Sequence, residues 1–191
     1  MNQKKLFYGG FIGTLAIVVI ILGVFYFKGE NRMAELGKVY SSWVDATGTI
    51  SGFHARFPKE PEYATQDLPI EDSGEVIKQE LFVGGSEQMS FFISSSRYPS
   101  DVDSSEENMR QALAGMVDAI PDGEIISSRY TVPFSGANYL EYKIHRTENN
   151  ISYKGRIFLS SRALYQIYAS YQELAYNDDE YTYFVNSFRI K

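Results

Sequence analysis

Residues 6–27 read LFYGGFIGTLAIVVIILGVFYF, 22 residues without a single charge. At about 1.5 Å of rise per residue, a helix of that length runs roughly 33 Å, enough to cross a hydrocarbon core of about 30 Å. A helix serving a water-soluble core would carry a polar stripe, and this run has none. It is therefore expected to be a transmembrane helix, with everything after it folding beside a lipid bilayer.

The flanks set the expected orientation. Lys4 and Lys5 precede the run with no acid, whereas Lys28, Glu30, Arg32, Glu35 and Lys38 after it are mixed in sign. The positive-inside rule makes residues 1–5 a cytoplasmic tail and the carboxy-terminal domain extracytoplasmic. Tyr8, Phe25, Tyr26 and Phe27 lie near the two ends, where interfacial aromatics belong. A cleaved signal peptide would have a shorter apolar core and a small-residue cleavage site. The flank FYFKGENR offers no such site, and a lipoprotein signal needs a cysteine, which the chain lacks. An uncleaved, single-pass anchor is the expectation. Gly9 and Gly13 form a G-x-x-x-G, a spacing that lets two membrane helices approach closely. The contact would be another membrane helix, of a second copy (a homo-oligomer through the membrane helix) or of a different subunit. The plainer reading is that glycine is common in membrane helices.

Charge narrows the partners. All 24 acidic residues and 15 of the 18 Lys and Arg follow Lys28, so the outer part carries a formal charge of −9. Nucleic acid and anionic headgroups both need a positive surface, so nucleic acid is not an expected partner. The absence of cysteine excludes disulfides, thiolate nucleophiles and Cys-ligated metal centres.

Between anchor and domain, residues 28–50 read as an amphipathic stalk and linker. Met33, Leu36, Tyr40, Trp43 and Val44 recur at helical spacing, and ATGTISG, residues 46–52, reads as a turn. The domain is expected over residues 51–191. GFHARFP at its start is a short strand ended by proline, and PKEPE cannot continue a central strand. Val76–Val83 and Gln88–Ser94 form a hairpin across GGSE. Met109, Leu113, Met116, Val117 and Ile120 mark a helix, with Ser104 and Glu107 as its capping box and Pro121-Asp122-Gly123 as its stop. Four strand-like runs follow: Glu124–Val132, Ala137–Arg146, Ile151–Ser160 and Ala163–Tyr171. Short links between them imply antiparallel neighbours. Tyr181, Phe184, Val185 and Phe188 give a closing helix capped by Asn177 or Asp178. The expected fold is α+β: an antiparallel sheet of about six or seven strands between helical layers, an α/β/α sandwich.

The opening GFHARFPKEP, the hairpin strand SFFISSSRYP, the mid-chain helix, the meandering strands and the ending FVNSFRI together resemble the PsbP-like superfamily, which includes extrinsic photosystem II subunits. The resemblance covers about Ser51 to Lys191. It implies the sandwich fold and a binding or assembly module rather than an enzyme, and it transfers no site residues.

Motifs for chemistry are sparse. His54 and His145 are the only histidines, each on a strand, and a two-His metal site would need a carboxylate partner. SDVDSSEEN alternates Asp101, Asp103 and Ser105 like a calcium loop, but Glu106 replaces the glycine at its sixth position and Ala112 the glutamate at its twelfth. No G-x-S-x-G, P-loop or dinucleotide fingerprint is present, so no cofactor is expected. Tyrosine is abundant, and Trp43, Tyr165, Tyr168 and Tyr171 are candidates for a partner surface, because tyrosine combines apolar area with a polar tip. It suits half-buried sheet faces equally well. The expected function is a non-catalytic accessory subunit or assembly factor of a membrane protein complex. The alternatives are a membrane-tethered ligand-binding domain and a metal-assisted enzyme using His54 or His145.

Overall fold

A computed structural model describes residues 41–70, 73–134 and 136–191. The run at 6–27, with Gly9 and Gly13, lies outside the described residues. Among those described, no helix is long and apolar enough to cross a membrane.

The described residues form two antiparallel sheets. The large one has seven strands in the order β3-β4-β5-β9-β8-β7-β6. They are β3 (Glu62–Pro69), β4 (Val76–Gly85), β5 (Met89–Arg97), β6 (Gly123–Thr131), β7 (Tyr139–Arg146), β8 (Ile151–Leu159) and β9 (Ala163–Gln172). The small one has the order β1-β2-β10, from β1 (Val44–Gly48), β2 (Phe53–Phe57) and β10 (Arg189–Ile190). Helix α1 (Glu106–Asp118) lies between β5 and β6 in the chain, and α2 (Asp178–Ser187) between β9 and β10.

The strand pattern is period-two burial on both faces. Leu140, Tyr142 and Ile144 of β7 join Tyr153, Ile157 and Leu159 of β8, and Leu164 and Tyr168 of β9, on one face. Met109, Ala112, Leu113, Met116 and Ile120 of α1 cover it. Phe91 and Ile93 of β5 and Tyr165, Ile167, Ala169 and Tyr171 of β9 project from the other face, into a second core. Its cover is the small sheet, through Ala46, Phe53, Ala55 and Phe57, together with Tyr181, Phe184 and Val185 of α2. β5 and β9 are central and buried on both sides, which is why ALYQIYASYQ and MSFFISSSR read as continuous runs rather than clean alternations.

This corrects the expected fold. The domain is not a sheet between two helical layers: 51% of the described residues are in strands and 18% in helices, with two α-helices. The second layer is itself largely sheet. The reason is periodicity: Ala46, Gly48, Phe53, Ala55 and Phe57 are buried at every second position. That pattern packs as extended chain, and only the Tyr181–Val185 stripe is left to a helix.

Three local expectations change with it. Residues 46–52 are not simply linker, since β1 pairs with β2 from Val44↔Phe57 to Gly48↔Phe53, so the folded domain begins by Trp43 instead of Ser51. The cap of α1 is Ser105, whose side chain accepts from the Asn108 amide, rather than Ser104. Residues 62–69, unassigned from sequence, form the edge strand β3, with Tyr63 against Phe82 at 4.7 Å between ring centroids.

Candidate functional site

The aromatic candidates are core residues. Trp43, Tyr165, Tyr168 and Tyr171 are 6%, 1%, 2% and 1% exposed, so a partner surface built from these four is corrected to packing. Trp43 sits against Phe91 and Tyr183, Tyr168 stacks on Phe92, and Tyr171 meets Tyr176. The Tyr165 hydroxyl donates to the Ser51 carbonyl at 2.6 Å, tying the β1–β2 turn to the large sheet. Burial pushes the Tyr165, Tyr168 and Tyr171 phenols upward, so they stay protonated.

The two histidines lie on different sheets. His54, on the outer face of β2, approaches Asp45 Oδ1 with Nε2 at 3.0 Å. The same oxygen accepts from Arg56 Nε at 3.0 Å, and Arg56 Nη1 donates to the Tyr183 hydroxyl at 3.0 Å. The bond from Arg56 is the first cause holding the Asp45 carboxyl below its usual range. Asp45 therefore serves as a counter-ion and is a poor base.

His145 Nδ1 lies 3.0 Å from Ser152 Oγ, and Ser152 Oγ donates to Glu173 Oε1, which also receives Lys143 Nζ at 2.9 Å. A hydroxyl has one proton. Ser152 gives it to Glu173, so the imidazole must act as donor toward Oγ. That order is the reverse of a nucleophile activated by histidine, and the fully buried Ser152 could not reach a substrate.

Among the described residues, no group of three or more His, Asp or Glu could hold a metal ion. In the calcium-like segment Asp101 pairs with Arg162 at 3.0 Å, the Asp103 backbone carbonyl accepts from Asn108, and Ser105 caps α1.

One face of β7 and β8 is charged and partly covered by α2. Glu141 lies between Arg129 at 3.1 Å and Arg156 at 3.5 Å, and Arg156 also packs over the Tyr139 ring. Lys154 donates to the Tyr176 hydroxyl at 2.6 Å, reaches Asp178 at 3.4 Å and sits 4.4 Å from the Tyr181 ring centroid. Every cation here has an anion or a ring, so the face braces β8 against α2 and presents little uncompensated charge. Glu106, Glu107, Arg110, Gln111 and Ala114 border a shallow, open groove on the outside of α1.

The departure from an ordinary surface is apolar. Ile125 and Ile126 on β6 are 46% and 54% exposed, and Val132 and Phe134 after it are largely or fully exposed. The sequence carried a signal for this in two adjacent isoleucines, which cannot both face a core from a regular strand. Ile125 stands opposite the buried Ile144 at the sheet edge, and a bulge between Ile125 and Ser127 makes Ile126 the extra residue, so both stay about half exposed. No family model matches the chain, and no curated protein matches it.

Proposed function

We propose that this chain is a non-catalytic, single-pass, membrane-anchored accessory subunit or assembly factor that works through protein–protein contacts. The observation that carries the proposal is the uncharged run Leu6–Phe27 joined to this domain. The domain's polar clusters point the same way: the side chains around His54 and His145 are engaged with one another in arrangements that orient and neutralise. The exposed apolar positions Ile125, Ile126, Val132 and Phe134 offer area for another protein.

The test is affinity purification of the full chain from membranes in mild detergent, followed by mass spectrometry. A defined set of membrane subunits in stoichiometric amount is expected. Recovery of the chain as a lone monomer would overturn the proposal.

A further inference from the structure

Among the described residues, β6 ends the seven-stranded sheet, and the backbone donors and acceptors on its outer side meet no strand of theirs. The opposite edge, β3, is protected: EYATQDLP carries Glu62 and Asp67 with no cation and ends on Pro69. Two copies joined at β3 would set carboxylates beside carboxylates. β6 is different. GEIISSRYT carries one acid, Glu124, and one base, Arg129, whose side chain is 75% exposed, on either side of the exposed isoleucines.

We propose that β6 is the contact surface for a second copy of this chain, the two β6 strands running antiparallel about a two-fold axis at Ser127. The register follows from the bulge. Ile125 pairs with Ile144 and Ser127 with Lys143, so Ile126 is the extra residue. With Ile125–Ile126 counted as one position, Glu124 and Arg129 each stand two positions from Ser127, on the same face of the strand. The two-fold then sets Arg129 of each copy opposite Glu124 of the other, and Ser128 opposite the isoleucine bulge. Opposite charges directly across an antiparallel pair are favourable, whereas like charges are not.

The arrangement also suits a bilayer, a point that rests on the anchored reading above. A two-fold relating antiparallel strands of one continuous sheet stands perpendicular to the sheet, so both copies turn the same face to the same side. The chain enters each domain at Trp43 and β1, in the layer packed on one face of that sheet. The two amino-terminal segments therefore leave on one side, as two anchors in one membrane must. The close parallel approach that Gly9 and Gly13 permit has the same symmetry. Confinement to one membrane raises the effective concentration, so a single strand pairing with modest apolar area can hold the dimer.

The chain has no cysteine, so introduced ones report cleanly. Directly opposed Cα atoms in an antiparallel pair lie about 4.5–5.5 Å apart, within the span of a disulfide. Mild oxidation of the full-length Ser127→Cys chain in native membranes is expected to give a covalent homodimer, several-fold more than Thr65→Cys on β3. Glu124→Cys and Arg129→Cys, co-expressed with different tags, are expected to cross-link to each other. Glu124→Arg should reduce the Ser127→Cys cross-link several-fold, and adding Arg129→Glu should restore it. A Ser127→Cys yield no higher than that of Thr65→Cys, cross-linking only to a different protein, or failure of the charge swap to restore the yield would overturn the proposal. Alkaline extraction of the same membranes separates the two readings. Release of an intact cross-linked dimer would sink the anchor and leave the β6 contact standing; a retained chain without the Ser127 cross-link would do the reverse.

Discussion

Glu80 is fully buried on β4, and its carboxylate organises the turn that joins β1 to β2. Oε2 accepts from the Thr49 amide at 3.0 Å and the Ile50 amide at 3.3 Å. Oε1 accepts from the Ser51 amide at 3.0 Å and the Ser95 hydroxyl at 3.0 Å. All four donors converge on one carboxyl group, the bonds from Ser51 and Ser95 buried and those from Thr49 and Ile50 partly so. Glu80→Gln keeps the shape but puts an amide NH2 where one oxygen stood, so one or two of the four donors meet another donor, since of the four only the Ser95 hydroxyl can turn and accept. An orphaned buried donor costs about 1–3 kcal/mol, so Glu80→Gln should lose roughly 2–4 kcal/mol. Glu80→Ala leaves all four donors and a cavity, and should lose about 3–5 kcal/mol, within reach of the whole stability of a domain this size. Denaturant titration followed by fluorescence of Trp43, the single tryptophan, reads the loss, because its ring is buried beside Phe91. Amide hydrogen exchange supplies the local check: Thr49, Ile50 and Ser51 should lose protection in Glu80→Gln well beyond the average of the domain. A loss below about 1 kcal/mol, with those three amides still protected, would refute the view that this carboxylate holds the turn.

Gly155→Ala would put a methyl group 2.4 Å from the Ile167 carbonyl oxygen and 2.5 Å from Tyr168 Cβ, neither of which can swing away, so the change should destabilise by about 3 kcal/mol in the same titration. Tyr142→Phe should leave stability unchanged or raise it by up to about 1 kcal/mol, because the Tyr142 hydroxyl is buried with no hydrogen-bond partner among the described residues; a clear loss would reveal one. The Asp178 carboxyl is held below its usual range first by the Tyr176 hydroxyl at 2.5 Å and then by Lys154. A carboxyl whose folded pKa is depressed stabilises above its ordinary value of 3.8, and that contribution is lost as pH falls through the folded value. Tyr176→Phe should therefore raise the Asp178 pKa more than Lys154→Ala does, as read by carboxyl NMR titration, and the reverse order would refute the ranking.

What the chain's order reveals, and what it hides, follows from the range of the forces involved. The hairpin of β4 and β5, the meander from β6 to β9, and both helices are visible because periodicity and caps are local: Asn177 bonds the Asp179 and Glu180 amides two and three residues on. β1, β3 and β10 were not visible. Val44 falls on a helical spacing and ATG opens a segment that reads as a turn, yet VDATG is a strand: it pairs beside β2, with Ala46 packed on the large sheet and a Cβ at Gly48 lying 2.1 Å from the Phe53 ring. RI is two residues long, and its pairing with Phe53 and His54 lies far back in the chain. Trp43 and the tyrosines fit two readings from sequence because the same side chains serve cores and interfaces. Only the layers on the two faces of the sheet assign them to the core: the helix α1 over Tyr168, and the small sheet with α2 over Trp43, Tyr165 and Tyr171.

The same reasoning separates the domain's charges from its candidate contacts. The acids and bases on β7 and β8 and facing them from the 3-10 turn and α2 are spoken for: Glu141 by two arginines, Glu173 by Lys143 and Ser152, Asp178 by Tyr176 and Lys154. Such half-exposed pairs contribute about 0–1 kcal/mol each, and a partner that displaced them would have to replace their hydrogen bonds before gaining anything. Ile125 and Ile126 carry no such obligation. Covering them removes apolar area from water at about 25 cal/mol per Å², and the outer backbone edge of β6 supplies hydrogen bonds that fix the register. A mutational search for function should therefore begin at the neutral edge of the sheet. Substitutions in the charged face will read mainly as losses of stability, because those residues brace β8 against α2 and the 3-10 turn at Glu173–Ala175.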